Sequence, residues 1–269
     1  MFSIIIPTYN QDYLLKKSLE SVIHQTFNNW EVIIVNNYSN DETIKVSKSF
    51  NDNRIKLINF RNNGIISASR NFGLKIAKYP YIAFLDSDDI WVPKKLEKTL
   101  PYLTQGNDIV CHDEIWFWPD GTNKLVNYGP EKRSSFSKLL FNGNVISTSA
   151  ISCRRDVLLE LNGFDENPLM AGNEDYDLWM RISKIEKYKF KFIEEPLGYY
   201  RIHKNNNSKK LFRQLSSEIY VINKHFNDSK TRKYPLNYFK LIIRISKALI
   251  GSMVKINEFL YKTLIKIRK

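Results

Sequence analysis

The stretch Tyr81-Ile82-Ala83-Phe84-Leu85-Asp86-Ser87-Asp88-Asp89 organises the chain. An apolar run that begins after Pro80 stops in three carboxylates within four residues. A run of this length, bounded by a proline and acids, reads as a buried strand. Three anions at one strand end repel each other, so the arrangement calls for a cation. A hard divalent ion, Mg²⁺ or Mn²⁺, suits such oxygen ligands, completed by waters or by a substrate's phosphates. In open α/β sheets, ligands bind outside the carboxyl ends of the strands. The plainer alternative is a solvated acidic turn before a helix that begins near Pro93.

Upstream, apolar runs alternate with helical patterns. Phe2 to Ile6 reads as a buried strand ended by Pro7, with Thr8, Tyr9 and Asn10 as its loop. A helix follows, carrying Leu14, Leu15, Leu19, Val22 and Ile23 at helical spacing. Glu31 to Val35 is the second strand, and Asn36 to Asp41 its loop. Thr43 to Phe50 reads as a short helix, Arg54 to Phe60 as the third strand, and Ile65 to Lys78 as a helix carrying Arg70. This alternation predicts a parallel sheet with right-handed crossovers. Four loops then meet at one edge: Pro7–Asn10, Asn36–Asp41, Asn62–Arg70 and Asp86–Asp89.

Downstream the alternation is less strict. Pro93 to Leu103 reads as a helix and Ile109 to His112 as a strand. Glu114 to Tyr128 reads as a hairpin turning at Pro119-Asp120-Gly121. Ser134 to Phe141 is a helix, Val145 to Cys153 a strand and Arg155 to Leu161 a helix. Gly163-Phe164-Asp165 is a turn and Glu174 to Ile185 a helix. Lys189 to Ile193 and Leu197 to Arg201 are two short strands. The expected organisation is an α/β domain over 1–208 and a helical, basic extension over 209–269. In the extension, Phe239, Ile242, Leu249, Met253, Ile256, Leu260, Leu264 and Ile267 form an apolar stripe beside lysines and arginines. Such a helix either lies on an anionic membrane surface or packs on the domain with its basic face in water. Gly251 is a candidate break in it.

Composition narrows the classes. The chain has 269 residues, 43% hydrophobic and 13% aromatic, enough for a sizeable core. Its net charge of +13 favours anionic partners: nucleic acid, an anionic membrane or phosphorylated substrates. Cys111 and Cys153 have no metal-ligand spacing and make no disulfide framework, which fits a reducing cytoplasm. A strand starting at Phe2 leaves no signal peptide expected. No apolar run is long enough to span a bilayer.

Taken in order, the motifs resemble the inverting glycosyltransferases of family 2, which have the GT-A fold. The residues are Ser3 to Asn10, Val35 to Asp41, Ala68-Ser69-Arg70-Asn71, Phe84 to Asp89, Gly163 to Glu166, Asn173 to Trp179 and Tyr199 to His203. The likeness spans about residues 2 to 208. It implies a Rossmann-like, mostly parallel sheet flanked by helices. It also implies a nucleotide-sugar-binding half at 1–104 and an acceptor-binding half at 105–208.

The resemblance assigns roles. Pro7, Thr8 and Tyr9 match the loop that holds the base and ribose. Asn37 stands where the family usually has an Asp that reads the pyrimidine edge. Here Asn36-Asn37-Tyr38-Ser39 departs from the common Asp-Asp-Gly-Ser. An Asp only accepts, whereas an Asn both accepts and donates, so uracil or thymine still fits and the donor stays open. Arg70 matches an arginine near the diphosphate, which its fork geometry suits. Asp86, Ser87 and Asp88 match Asp-x-Asp, with Asp88 on the metal and Asp86 on the ribose or a metal-bound water. Asp89 is a candidate cap for the next helix. Asp175 matches the general base, and Glu174 the residue that orients acceptor or base. At a helix start the dipole favours Asp175 as an anion. Asp177 reads as structural. Arg201 and His203 match a loop that closes over the diphosphate, continued by Asn205 to Ser208. Trp91, Trp116, Trp118 and Trp179 read as core.

The expected activity is metal-dependent transfer of a sugar, from a UDP-sugar in the favoured reading, to an acceptor hydroxyl. The acceptor expected is a glycan or lipid-linked molecule of surface-polysaccharide or glycolipid assembly. The location expected is cytoplasmic, peripheral on the inner face of the plasma membrane. A nucleotidyltransferase would need a Gly-rich, basic loop after the first strand, and Pro7-Thr8-Tyr9-Asn10 is unlike one. A nucleic-acid-binding module rests only on net charge, much of which sits in the extension.

Overall fold

A computed structural model describes residues 1–203, 211–227, 237–238, 240–246 and 249–250. In the first half, β1 (Phe2–Thr8), α1 (Asp12–Ile23), β2 (Trp30–Asn36), α2 (Thr43–Ser49), β3 (Ile55–Asn59), α3 (Ile66–Ile76) and β4 (Tyr81–Phe84) alternate. The four strands pair in parallel in the order β3-β2-β1-β4. Both faces of β1 are covered, which is why Ile4, Ile5 and Ile6 stand in one unbroken apolar run. Ile4 and Ile6 pack with Leu15, Leu19 and Val22 of α1. Ile5 packs on the other side with Leu74 of α3 and Phe84. A Cβ at Gly73 would lie 2.6 Å from Ile5 Cγ2, so α3 sits this close only with glycine there.

The strand β1 does not end at Pro7. It runs to Thr8, with Pro7 opposite Val35. The ladder to β4 stops at Ile5–Phe84, with one further bond from Leu85 N–H to the Ile5 carbonyl. Backbone polar groups alternate sides along a strand, so the N–H that Pro7 lacks would face the side β4 has already left.

The second half adds β5 (Ile90–Trp91), α4 (Lys95–Thr104), β6 (Ile109–Phe117), β7 (Asn123–Val126), α5 (Phe136–Asn142), β8 (Ile151–Arg154), α6 (Arg155–Glu160), α7 (Glu174–Ser183), β9 (Phe190–Arg201) and α8 (Leu211–Asn227). Antiparallel β8 joins β4 to β6, β9 runs parallel to β6, and β5 closes the edge. The sheet order is β3-β2-β1-β4-β8-β6-β9-β5, with β7 paired to β6 through the expected hairpin.

Several expectations change here. Helix α4 starts at Lys95, because β5 and its exit are pinned by Val92 N–H to Leu197 O and Thr26 N–H to Pro93 O. The two strands expected at 189–201 are one strand, β9. His112 pairs with Ile193 but Asp113 with Pro196, so Glu194 and Glu195 form a bulge. Only the last part of 145–153 is a strand. Residues 147–150 fold into tight turns, Ala150 N–H to Ser147 O and Ile151 N–H to Thr148 O, both 3.2 Å.

Helix α8 docks on the loop around α7. Asn173 Nδ2 donates to Ser217 Oγ (2.6 Å), Lys224 Nζ meets Asp165 and Asp177 (2.9 and 2.8 Å), and His225 Nε2 meets Asp177 Oδ1 (2.8 Å). Of the apolar stripe, Ile242 and Leu249 are exposed. Phe239, Met253, Ile256, Leu260, Leu264 and Ile267, the break at Gly251 and the loop 205–208 lie outside the described residues. Among the described residues, no helix is long and apolar enough to cross a membrane.

Candidate active site

The acidic turn after β4 is held open rather than left to repel itself. Asp86 N–H donates to Ser149 Oγ (3.1 Å), and Asp89 N–H returns to the Asp86 carbonyl (3.0 Å). The three acids then take different partners. Asp86 Oδ1 accepts from Arg70 Nη2 at 2.7 Å. Asp88 Oδ2 hydrogen-bonds His203 Nε2 at 2.8 Å. Asp89 is not a helix cap: it is 1% exposed and accepts from Ser149 Oγ (2.6 Å) and Arg201 N–H (3.1 Å). Burial pushes the Asp86 and Asp89 carboxyls up, Asp89 far up, with Asp88 adding to both and Arg70 opposing at Asp86. Ser87 Oγ donates to Gln11 Oε1. Arg201 Nε donates to the Asp88 carbonyl at 3.3 Å, so the end of β9 closes one side of the turn.

Arg70 joins this turn to the second acidic motif. It lies in α3 and is 3% exposed. Its Nη1 donates to Glu174 Oε1 at 2.8 Å while Nη2 holds Asp86. Burial works against its charge, but Asp86 and Glu174 keep its pKa above the ordinary value. The other Glu174 oxygen accepts Gly172 N–H at 2.7 Å.

Asp175, at the start of α7, accepts Tyr176 N–H at Oδ1 (2.7 Å) and Thr148 Oγ1 at Oδ2 (3.1 Å). The helix start does not keep this carboxyl acidic. Burial, then the Glu174 charge, push it up to about 7, with Arg70 opposing. That is a better value for a base near neutral pH than an ordinary carboxylate's. Asp177 is structural, as expected: fully buried, it meets Arg181, Lys224 and His225, which outweigh burial and hold it far below the usual carboxylate range.

The first three loops interlock. Asn37 N–H donates to Thr8 O (3.0 Å), and Asn40 N–H to Asn10 Oδ1 (2.9 Å). Asn37 Oδ1 accepts Asn62 N–H at 3.0 Å. That bond takes one of the two lone pairs of the Asn37 side-chain oxygen and leaves its amide N–H groups as donors. Tyr9 and Tyr38, both in these loops, are exposed, and the buried Thr8 Oγ1 has no protein hydrogen-bond partner.

The structure thus brings Arg70, Asp86, Asp88, Glu174, Arg201 and His203 into one linked network, with Asp175 beside Glu174. Pro7, Thr8, Tyr9 and Asn37 form the adjoining loop cluster. Trp91 and Trp179 are core, whereas Trp116 and Trp118 are half-buried. Sequence reasoning missed Glu114, Thr148 and Ser149. Glu114 is 1% exposed, accepts Tyr128 Oη at Oε2 (2.6 Å), and is pushed up to about 7 by burial. Its one sequence signal was an Asp-Glu pair inside an apolar strand. The turn Gly163-Phe164 is tied to Asn71, which donates to Phe164 O and accepts Phe164 N–H, both at 2.8 Å. A Cβ at Gly163 would lie 2.3 Å from Asn71 Oδ1.

The mixed α/β sheet with its flanking helices has the GT-A fold of glycosyltransferase structures. The chain belongs to glycosyl transferase family 2, which matches residues 3–160. An uncharacterised glycosyltransferase of Methanocaldococcus jannaschii is 32% identical, over 100% of this chain and 93% of its own. The UDP-Glc:alpha-D-GlcNAc-diphosphoundecaprenol beta-1,3-glucosyltransferase WfgD of Escherichia coli is 30% identical, over 92% of this chain and 94% of its own. The mannosyltransferase PcManGT of Pyrobaculum calidifontis, solved with GDP-Man and Mn²⁺, superposes with a TM-score of 0.62 at 15% identity. The alignment covers 100% of this chain and 80% of that one, a likeness of fold.

Proposed function

We propose that this chain moves one sugar from a nucleotide diphosphate sugar to an acceptor hydroxyl, with inversion at the anomeric carbon. The observation that carries the reading is the Arg70 bridge, which ties the donor-side Asp86 and the Glu174-Asp175 pair to one buried guanidinium. Asp175 takes the acceptor proton as the hydroxyl attacks, and Glu174 orients the acceptor. Displacement from the opposite face inverts the centre without a covalent sugar–enzyme intermediate. The loops of residues 1–104 hold the nucleotide, with Pro7, Thr8, Tyr9 and Asn37 at the base and ribose. Residues 105–208 hold the acceptor. Arg201 and His203 close beside the diphosphate.

A UDP-sugar is the favoured donor. Support comes from Asn37, which can donate to a uracil carbonyl, and from the similarity to WfgD, whose name gives UDP-Glc as donor. The acceptor class we infer is a glycan or lipid-linked molecule of polysaccharide assembly.

Among the described residues, no cluster of three or more His, Cys, Asp or Glu makes a ready cation cage. The donor set still fits Mg²⁺ or Mn²⁺, which is commonly held by one or two carboxylates plus substrate phosphates and waters. Asp88, with Asp86, would hold it, because Arg70 and His203 each engage one oxygen of those carboxylates. When bound, the ion neutralises charge on the departing diphosphate.

The test is Asp175→Asn, which keeps shape and removes proton acceptance. First, nucleotide sugars are screened for release of nucleoside diphosphate. Transfer should then fall about 10²–10⁴-fold with donor affinity unchanged. A rate within a few-fold of the parent would move the role to another acid. Loss of donor binding would make Asp175 structural.

A further inference from the structure

The segment between α5 and β8 carries three consecutive hydroxyl residues, Ser147-Thr148-Ser149. Each meets a different carboxylate. Ser147 reaches Glu114. Thr148 Oγ1 donates to Asp175 Oδ2 at 3.1 Å. Ser149 Oγ donates to Asp89 Oδ2 at 2.6 Å and accepts Asp86 N–H at 3.1 Å.

The segment is built to be stiff. Thr148 and Ser149 are 6% and 2% exposed. The two tight turns that close at Ala150 and Ile151 hold its backbone. Trp91 Nε1, deep in the core, donates to the Ser149 carbonyl at 2.8 Å. Neighbouring Cα atoms are about 3.8 Å apart, so a single peptide unit separates the residue holding Asp175 from the residue holding the acidic turn. Asp175 has one oxygen on Tyr176 N–H and the other on Thr148. Asn144 Nδ2 stands at 3.5 Å, the far limit of a hydrogen bond. With both oxygens held, the carboxylate cannot rotate freely, and its remaining lone pairs keep a set direction. Misplacing a reacting group by about 1 Å can cost about 10²-fold in rate.

We propose that Thr148 and Ser149 are positioning residues that set the distance and orientation of Asp175 relative to the donor-side turn Asp86–Asp89. This rests on the reading of Asp175 as base. Arg70 spans the same two motifs from the other side, between Asp86 and Glu174. The base and the donor turn are therefore braced twice, once by a guanidinium and once by a pair of hydroxyls. Thr148 fixes the base and Ser149 fixes the turn, so their variants should fail differently.

The experiment uses the full chain with Thr148→Val, Thr148→Ser, Ser149→Ala and Asp175→Asn. The first readout needs no substrate: ¹³C NMR titration of the aspartate carboxyls, with the Asp175 signal assigned from Asp175→Asn. The charged groups facing Asp175 are Glu174 and Arg70, and no variant but Asp175→Asn touches that cluster. Thr148→Val removes a hydrogen bond that favours the ionised form, so the Asp175 midpoint should rise by about half a unit or more. Thr148→Ser should leave it in place. The second readout is turnover of the nucleotide sugar found in the screen. Thr148→Val should lower kcat about 10- to 100-fold with donor KM unchanged, and Thr148→Ser should restore it. Ser149→Ala should instead raise donor KM.

An unmoved Asp175 midpoint in Thr148→Val overturns the proposal, as does equal loss in the Val and Ser variants. A Val variant that loses melting temperature and UDP affinity together also overturns it, because the residue is then merely structural. If Asp175→Asn turns over at the parent rate, the base reading itself has failed. If Asp175→Asn is inactive while Thr148→Val is unimpaired, only the positioning role has failed.

Discussion

Replacing Arg70 by lysine keeps the charge and removes the fork. The guanidinium is 3% exposed and holds Asp86 at 2.7 Å and Glu174 at 2.8 Å. An ammonium is a point charge on a flexible stem and serves one such carboxylate well, not two on opposite sides. The exposures of the two partners decide which is kept. The Glu174 side chain is 7% exposed and that of Asp86 28%, so water can stand in at Asp86 but hardly at Glu174. Lysine should therefore stay with Glu174 and give up Asp86. A hydrogen bond to a charged group is worth about 1.5–3 kcal/mol, so we expect a loss of about 2 kcal/mol. In a chain of this size that is a fall of roughly 4–8 °C in Tm. Arg70→Met abandons both acids and should cost about 3–5 kcal/mol. Urea unfolding at constant slope measures these losses. Arg70→Met combined with Glu174→Gln should lose about 1 kcal/mol or more less than the sum of the single changes. An Arg70→Lys variant within about 0.5 kcal/mol of the parent, with additive double mutants, would refute the bridge.

Asp88→Ala should abolish metal-dependent UDP binding while leaving the fold intact; calorimetry with Mn²⁺ or a chelator checks this, and unchanged affinity would sink the metal role. Glu114→Gln should flatten the pH dependence of stability. The folded-state pKa of Glu114 is raised to about 7, so the stability it contributes is full below its ordinary value and is lost as pH rises through 7. Between about pH 4.5 and 7 the parent should lose on the order of 2 kcal/mol that the variant keeps, read from urea midpoints. We also propose that the basic extension binds anionic lipid, from its exposed Ile242, Leu249 and Ile250 and its lysines. Each basic residue near such a surface adds about 1 kcal/mol. Vesicles containing phosphatidylserine should float the full chain but not one truncated before Tyr234, and equal flotation of both would end the idea.

The sequence by itself determined that β1 to β4 alternate with helices in a parallel sheet, with motifs at the strand ends. These rest on local periodicity, which residues a few positions apart decide. It also pointed to both acidic motifs: Asp86–Asp89 because carboxylates after a buried strand are chemically conspicuous, and Glu174-Asp175 through the family resemblance. Tertiary structure decided which partners each carboxylate meets. Asp89 looked like a cap and is a buried strut, since Ser149 and Arg201 reach it from 60 and 112 residues away. Asp175 looked acidic beside a helix start and is pushed up to about 7, since burial and Glu174 outweigh the dipole. Ser147, Thr148 and Ser149 looked like strand residues, because nothing local shows that their hydroxyls meet acids from other elements. A hydrophobic pattern is written along the chain, but the partners and basicity of a buried acid depend on whatever the fold sets against it.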